Sequence, residues 1–530
     1  MYRWKAAVCT VAVFGVTSLG AAVHDSRQAS PVPDVVELSI RQIQAGFRAK
    51  TLTCRALVDA YLARIEAHDS RGAALNAITQ VNPAARAEAD AMDRDLAAGR
   101  SRGALHCVPV IVKDNFETIG MQSAAGSLAL QGFVSDRDAY QVARLKAAGA
   151  LILAKSNMAE WAFTPYETVS SVHPGYTRNP YDTSRVTAGS SGGTAAAVAA
   201  SFGAAGLGSD TGNSIRGPSA HQALVGIRST MGLTSRTGVV PLNLLADIAG
   251  PMARTVEDAV LMFQAVVGYD PEDPVTTPSR DYPIPRYVDS LRADGLKGAR
   301  IGVLRQAYER GGASGVGGVG GVDPEVAAVF AAALKSLEAA GATIVDPAAI
   351  DLSGVRREQG AGSCGGFTYD IAQWFARHPG KTPVASLADV VKSRRYHPSV
   401  QARVQSAAEA TPGGAPGSPA CEAEMRYRTA YGAAITARMD ELKLDAYVYP
   451  TWSFPPRLIG DLSTPHGDNS QVFSPTSGFP SISVPMGYTR DNRLPAGITF
   501  FGRAWDEETL IRLSFAYEQA TKHRRPPLRN

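Results

Sequence analysis

Short apolar stretches alternate with helical stretches along most of this chain, and this alternation constrains the fold more than any other feature of the sequence. The predicted strands are Val108–Val112, Leu151–Ala154, Ala204–Ser209, Arg300–Leu304 and Thr343–Val345. The predicted helices lie within Val35–Ala67, from Asn82-Pro83 to Gly99, before Gly149, over Thr194–Phe202 and over Glu325–Ala340. Because strand–helix alternation is typical of α/β proteins, we predict an α/β fold.

Composition excludes several classes of protein. Hydrophobic residues make up 45% of the 530 residues, which is enough to build a packed core. The 53 basic and 49 acidic side chains leave a net charge of only +4, and proteins that bind polyanions concentrate a much larger basic excess. We therefore predict no nucleic-acid partner. Long apolar runs do not recur, which argues against a polytopic membrane protein.

The N-terminus has the three-part pattern of a secretory signal. Arg3 and Lys5 precede an apolar region, Val8–Val16, and Gly20-Ala21-Ala22 supplies small residues for cleavage. We predict a signal peptide over residues 1–22, a periplasmic or secreted location and no stable membrane span after cleavage. An uncleaved anchor and an ordinary first helix are the alternatives.

Four cysteines remain beyond that segment: Cys54, Cys107, Cys364 and Cys421. An oxidising compartment permits disulfides between them, in any of three connectivities that the sequence does not separate. Isolated buried thiols are the interpretation that we favour from the sequence. No Cys-x-x-Cys pair is present, so we predict no metal site.

Two short motifs match well-known patterns but lack the neighbouring strand or helix that each pattern requires. Gly315-Val-Gly-Gly-Val-Gly320 matches a dinucleotide-binding motif but lies in a repetitive Gly/Val tract that does not open a helix, so we interpret it as a loop. Gly189-Ser-Ser-Gly-Gly193 matches a nucleophile elbow with Ser191 at its centre. The preceding Tyr181–Ala188 is polar and does not resemble a strand, which the elbow requires.

Three ordered blocks match a longer pattern: Cys107-Val-Pro-Val-Ile-Val-Lys113-Asp-Asn, then Gly189-Ser190-Ser-Gly-Gly-Thr, then Gly208-Ser-Asp-Thr-Gly-Asn-Ser214-Ile-Arg. With them, the chain resembles the amidase signature family. Supporting matches are Ala125–Ser127, Ala154–Glu160, Asp247–Pro251, Gly478–Pro485 and Ala496–Phe501. The resemblance implies one large α/β domain over residues 35–525, in which helices cover both faces of a mixed, twisted sheet.

These residues suit amide hydrolysis, which needs a nucleophile, a base and donors for the oxyanion. Ser214 follows a predicted strand in a Gly-containing turn, where its hydroxyl can stand clear of the backbone. The backbone N–H groups of Thr211, Gly212, Asn213 and Ser214 can converge on an oxyanion. Lys113 ends an apolar strand, where desolvation lowers the pKa of its amine and leaves it neutral.

The resemblance adds a Ser–cisSer–Lys triad. It implies Ser214 as the acyl nucleophile, Lys113 as the base and Ser190, after a cis peptide bond, as the proton relay. Ser191, Asp210 and Arg216 are implied as supporting residues, and no cofactor is expected.

Three positions depart from the family pattern. Asn213, Ala188 and Cys107 stand where glycine is usual. Asparagine tolerates a positive φ better than most residues, so the turn before Ser214 can be kept. We expect these changes to affect specificity more than activity.

The predicted function is an amidase acting on a small-molecule or peptide amide. Ala125–Leu130 and Ala516–Ala520 are similar to the bacterial peptide amidase branch, while aryl amides, acyl amides and esters suit the same chemistry. The alternative is the A-type subunit of a glutamine-dependent amidotransferase, which works with partner subunits and ATP. A binding protein without activity is a third hypothesis. The sequence leaves the oligomeric state open.

Overall fold

The computed structural model describes Met1 and residues 33–309, 321–465 and 467–527. Pro33–Asn530 form one compact unit. Apart from Met1, the predicted signal peptide lies outside the described residues, as does most of the Gly/Val loop over 311–322. No helix in the described ranges is long and apolar enough to cross a membrane.

The helices alternate with strands over most of the chain. They are α1 Ile40–Arg48, α2 Cys54–His68, α3 Ala85–Ala97, α4 Tyr140–Ala147, α5 Gly192–Ala199, α6 Arg216–His221, α7 Val256–Val266, α8 Pro324–Ala339, α9 Phe367–Ala376, α10 Leu387–Ser393, α11 Gln401–Glu409, α12 Pro419–Leu442, α13 Phe473–Ser477 and α14 Glu507–Thr521.

The strands are β1 Ile78–Val81, β2 Pro109–Lys113, β3 Leu151–Ser156, β4 Arg178–Asn179, β5 Asp182–Val186, β6 Ala205–Asp210, β7 Val225–Arg228, β8 Ile248–Ala253, β9 Arg300–Val303, β10 Thr343–Val345, β11 Ala446–Pro450, β12 Ser481–Thr489 and β13 Leu494–Phe501. Eleven of them form one sheet in the order β1-β3-β2-β6-β8-β7-β12-β13-β11-β9-β10. The pairs β2–β3 and β2–β6 are parallel, whereas β6–β8 and β12–β13 are antiparallel. The sheet is therefore mixed, as predicted.

Both faces of the sheet are covered. Every residue of β2, β3, β6, β8 and β13 is buried, although successive side chains of a strand point to opposite faces. This explains why the predicted strands read as continuous apolar runs and not as alternating ones. The expected single α/β domain with helices on both faces is confirmed.

Local sequence signals explain several element ends. The Thr53 hydroxyl accepts a hydrogen bond from the Ala56 N–H and caps α2. Asn82 accepts one from Ala84 N just before α3 begins. Pro109 opens β2, a position at which the missing N–H costs no ladder bond.

The three helices α9, α10 and α11, called the cap helices below, belong to a second hydrophobic cluster. Their buried side chains, which include Ile371, Trp374 and Val404, pack against the loops around Leu130, Phe133 and Phe163. This cluster is separate from the main core around the sheet. The cap helices therefore form a wall above the loops that follow β2 and β3.

The favoured interpretation of the cysteines as isolated thiols is wrong. The structure has two disulfides, Cys54–Cys107 and Cys364–Cys421, with Cα atoms 5.8 and 4.5 Å apart. The partners are 53 and 57 positions apart in the sequence. Only the tertiary fold brings them within the distance that a disulfide requires.

The expectation that Tyr181–Ala188 contains no strand is also wrong. Within it, β5 pairs with β4 in a two-stranded ribbon outside the main sheet. Most of β5 is only partly buried, so its polar composition gives no apolar pattern.

Candidate active site

Lys113 ends β2 with its side chain fully buried. Its Nζ donates hydrogen bonds to Ser190 Oγ at 2.7 Å and to Ser209 Oγ at 2.8 Å. Burial lowers the pKa of this amine to about 7, although the negative charges of Asp210 and Asp247 act in the opposite direction. At neutral pH a large fraction of Lys113 is therefore uncharged and able to accept a proton.

Ser190 follows a cis peptide bond to Gly189, as the resemblance implies, and lies just before α5. Close packing explains the glycine, because a Cβ at position 189 would lie 2.4 Å from Glu167 O and 2.7 Å from Thr164 O. The Ser190 side chain is fully buried. It is thereby directed at Lys113 and away from solvent.

Ser214 lies in the turn between β6 and α6, with only 5% of its surface exposed. Among the described residues, the N–H groups of Thr211, Gly212, Asn213 and Ser214 have no hydrogen-bond acceptor. Unpaired backbone donors beside a hydroxyl can bind an oxyanion. The turn thus offers both a nucleophile and the donors that acyl transfer needs.

Asp210 holds this turn from inside the protein. Its carboxylate forms ion pairs with Arg216 at 3.1 Å and with Arg228 at 3.0 Å, and all three side chains are fully buried. It also accepts the N–H of Ile215 at 3.1 Å. Burial would raise the pKa of Asp210, but the two guanidinium groups and these hydrogen bonds lower it to about 2.

Ser191 has a different environment from Ser190. Its Oγ donates to Ser209 O at 3.1 Å, which ties α5 to β6. Among the described residues, no histidine contacts Ser191, so nothing in the structure supports the nucleophile-elbow interpretation. The supporting role of Ser191 stays a prediction.

Four residues of the site were not singled out from the sequence. Ser209 accepts from both Lys113 and Asn115, the latter at 3.1 Å. Asp247 accepts a hydrogen bond from the Thr211 hydroxyl, and Arg228 pairs with Asp210. Ser209 and Asn115 lie inside the matched blocks, which is a usable signal. Asp247 opens the matched stretch Asp247–Pro251, which is a usable signal too, whereas nothing local marks Arg228, which reaches the site from β7.

The three residues that stand where glycine is usual differ in backbone conformation. Ala188 and Cys107 adopt φ values of 58° and 53°, the left-handed region that favours glycine. Asn213 has no positive φ, so the conformational reason for glycine does not apply there. The Asn213 side chain is fully buried near Gly217 and has no hydrogen-bond partner among the described residues.

Two cavities lie beside this site. A narrow one is lined by Asn115, Ser209, Thr211 and Asp247 together with apolar side chains such as Leu242 and Ile248. A larger one, of about 490 Å³, is lined in part by α9 and by the Cys364–Cys421 disulfide. Arg236, Val239 and Leu244 line both cavities. In the described ranges, no group of three His, Cys, Asp or Glu side chains is arranged to hold a metal ion.

The structure therefore holds a buried Lys113 amine hydrogen-bonded to Ser190, and a turn that carries the Ser214 hydroxyl and unpaired N–H groups, which are groups that acyl transfer can use. Residues 56–511 match the family described as Amidase, and the chain belongs to the amidase signature family. It is a hydrolase of carbon–nitrogen bonds.

Curated relatives align over nearly the whole chain. A probable amidase of Arabidopsis thaliana is 34% identical over 93% of this chain and 92% of its own length. The A subunit of the glutamyl-tRNA(Gln) amidotransferase of Thermosynechococcus vestitus is 34% identical over 85% of this chain and 92% of its own length. Among solved structures, the native peptide amidase of Stenotrophomonas maltophilia is 35% identical, with a TM-score of 0.80 over 94% of this chain and 99% of that one.

Proposed function

We propose that this chain hydrolyses small-molecule or peptide amides through an acyl-enzyme on Ser214. The observation that carries the proposal is the 2.7 Å hydrogen bond between Lys113 Nζ and Ser190 Oγ at the buried end of β2. Ser214 acts as the nucleophile, Lys113 as the base and Ser190 as the relay between them. Because Lys113 has a pKa of about 7, it holds or releases the proton near neutrality.

The proposed reaction has two stages, acylation of Ser214 and hydrolysis of the resulting ester. Neutral Lys113 takes the Ser190 proton while Ser190 takes the Ser214 proton, and Ser214 Oγ attacks the amide carbon. The developing oxyanion accepts hydrogen bonds from the free N–H groups of Thr211, Gly212 and Asn213. Ser190 then delivers a proton to the leaving nitrogen and regains one from Lys113, and the carbon–nitrogen bond breaks. Water next attacks the acyl carbon and gives up a proton through the same relay, which returns a proton to Ser214 as the ester bond breaks and the acid is released.

Supporting residues keep this geometry. The ion pairs of Asp210 with Arg216 and Arg228 set the backbone of the turn that carries Ser214. Ser191 binds the backbone of Ser209, which in turn contacts Lys113. None of these side chains needs to touch the substrate to act.

Peptide amides are the proposed substrate class. The likeness to the Stenotrophomonas maltophilia peptide amidase supports this choice, as do Ala125–Leu130 and Ala516–Ala520. Aryl amides are the competing class. A panel of peptide amides and aryl amides with the purified enzyme decides between them by kcat/KM.

We also propose export to the periplasm or outside the cell, after removal of residues 1–22. The N-terminal pattern supports this, and the two disulfides add an independent argument, because such bonds persist in oxidising compartments. Mass determination of the N-terminus of protein from the native cell fraction tests the cleavage.

The deciding experiment uses the single purified chain without ATP, glutamine or partner subunits. Release of ammonia from a peptide amide by the wild type, and its loss in Ser214→Ala, support the proposal. Activity that requires ATP and added subunits would instead support the amidotransferase alternative. Unchanged turnover in Ser214→Ala would overturn the assigned nucleophile.

A further inference from the structure

The large cavity adjoins the narrow cavity beside the turn that carries Ser214. The narrow cavity reaches Ser209 and Thr211, and it shares the wall residues Arg236, Val239 and Leu244 with the large one. A volume of about 490 Å³ is enough for a side chain or a short peptide segment. The chemistry of this cavity therefore bears on which amides are accepted.

Asp370 is a buried carboxylate in the wall of this cavity. It lies in the first turns of α9 and is only 4% exposed. Its Oδ2 accepts the backbone N–H of Leu244 at 2.8 Å. In the described part of the chain, no lysine, arginine or histidine forms an ion pair with it.

The other carboxylates of the cavity wall have cationic partners. Asp273 forms a two-pronged pair with Arg236, at 2.6 and 2.9 Å. Glu117 is 3.0 Å from His378 Nε2, and Glu272 pairs with an arginine at 2.8 Å. A further arginine, at position 377, also lines the cavity but lies about two helical turns, roughly 10 Å, along α9 from Asp370. Among the described residues, Asp370 is thus the wall carboxylate without an ion pair, since Arg236, the cation whose charge acts on it, is paired with Asp273.

Two aromatic side chains of α9 lie in the same cavity wall as Asp370. Tyr369 and Trp374 both line the cavity. Trp374 packs against Phe133 and His378, whereas Tyr369 has no ring or hydrogen-bond contact among the described residues. A ligand cation gains from an aromatic face as well as from a carboxylate. Burial raises the pKa of Asp370 to about 6, with a smaller contribution from the negative charge of Asp247, and the Leu244 N–H and the charge of Arg236 offset this only in part.

We propose that Asp370 selects amides whose acyl part carries an ammonium or guanidinium group, which binds in the large cavity beside Tyr369. This inference rests on the proposed function and names the substrate class of that same site. A buried carboxylate without a cation is costly, and a cationic substrate supplies the missing charge. Neutral substrates of equal length gain nothing from it.

The first test compares matched substrates. The pairs are N-acetyl-lysinamide with N-acetyl-norleucinamide, and N-acetyl-lysyl-alaninamide with N-acetyl-norleucyl-alaninamide, at about pH 8, where Asp370 is ionised. The wild type is expected to prefer a lysine member by about tenfold or more in kcat/KM. Asp370→Asn keeps an acceptor for the Leu244 N–H and is expected to abolish that preference, while norleucine turnover changes less than about twofold.

The result that overturns the inference is equally specific. A wild type without lysine preference, or the same preference in Asp370→Asn, removes the role of Asp370. An equal loss on all four substrates shows a structural role only and also overturns it. Asp351→Asn, at an exposed aspartate, is the matched control and keeps the wild-type preference.

A second measurement does not depend on turnover. Calorimetric titration of the full chain with n-hexylammonium chloride is expected to show binding that Asp370→Asn weakens about tenfold. Equal affinity in the two proteins overturns the cation site. If the wild type binds hexylammonium but hydrolyses no amide, the proposed function fails while the cation site stands.

Discussion

Asp210 and Asp370 are both buried aspartates, yet their surroundings are opposite. Asp210, at the end of β6, has two buried arginines and several hydrogen bonds, and its pKa is lowered to about 2. Asp370, on the cap helix α9, has one backbone N–H, and burial raises its pKa to about 6. Burial acts on both carboxylates, and the available partners decide the direction of the shift.

The difference separates a scaffold from a binding surface. At the catalytic edge of the sheet, meaning the end of β2 and the turn between β6 and α6, Asp210 has two arginine partners within the protein, so the geometry of the turn is set before substrate arrives. In the cavity wall formed by the cap helix α9, the Asp370 carboxylate has no ion pair among the described residues, which costs stability and creates affinity for a cation. Four predictions test this difference between the site around Asp210 and the cavity wall that contains Asp370.

Loss of the base at the catalytic edge is expected to have the largest effect. Lys113→Ala should lower kcat by about 1000-fold on every amide, because no neighbouring group replaces the buried amine. Lys113→Arg should fail as well, since a guanidinium stays protonated. Steady-state kinetics on one neutral and one cationic amide measures both variants, with Lys146→Ala as a surface control. A loss confined to the cationic amide would contradict a general base.

Removing the charge of Asp210 should damage the fold itself. Asp210→Asn leaves Arg216 and Arg228 buried without a counter-charge, and we expect a loss of about 3 kcal/mol in the free energy of unfolding. Because the folded pKa of Asp210 is lowered, its contribution is present above the unfolded pKa and is lost as pH falls towards 2. Urea unfolding at neutral pH measures the effect. Asp294→Asn, at an exposed ion pair, is the control that should not change.

With a neutral substrate, the pH dependence of kcat/KM should reflect the ionisation of Lys113 and not that of Asp370. Neutral Lys113 is the active form, so kcat/KM is expected to rise about tenfold per pH unit below about pH 6 and to level off above the pKa of about 7. A profile that falls as pH rises through 7 would exclude the neutral amine as the base.

Asp370→Asn should have the smallest effect on stability, and of opposite sign to Asp210→Asn. The folded pKa of Asp370 is raised above the unfolded value of about 4, so its ionisation costs stability in full above about pH 6, and this cost is lost as pH falls from about 6 to about 4. After allowance for solvent screening, the variant should be more stable by about 1 kcal/mol at about pH 8 and nearly unchanged at about pH 4. Urea midpoints at the two pH values measure it. Destabilisation at both would show that Asp370 is a structural anchor.

The sheet and the site differ in how far the sequence predicts them. The predicted strands around Lys113 and Ser209 were found, since runs buried on both faces leave a continuous apolar pattern. β5 was missed because it is partly exposed and polar. The ordered blocks identified the lysine and both serines, and the structure places Lys113 in contact with Ser190.

Other parts of the site required contacts between distant segments. Arg228 approaches the catalytic turn from β7 and Asp247 from the loop before β8. Asp247 opens a matched stretch, but its contact with Thr211 is not visible in the sequence, and no local pattern marks Arg228. The same holds for the disulfides, whose partners are more than 50 positions apart. The roles of Lys113, Ser190 and Ser214 in catalysis stay predictions until the variants are measured.

The sequence by itself determined the α/β class, the family and the order of the chemical groups, because periodicity and motif spacing are local properties of a chain. The tertiary structure alone decided which charges are compensated. Lys113, Asp210 and Asp370 are all desolvated by burial. Only the packing of distant strands and the cap helices determines whether an opposite charge lies close enough to compensate.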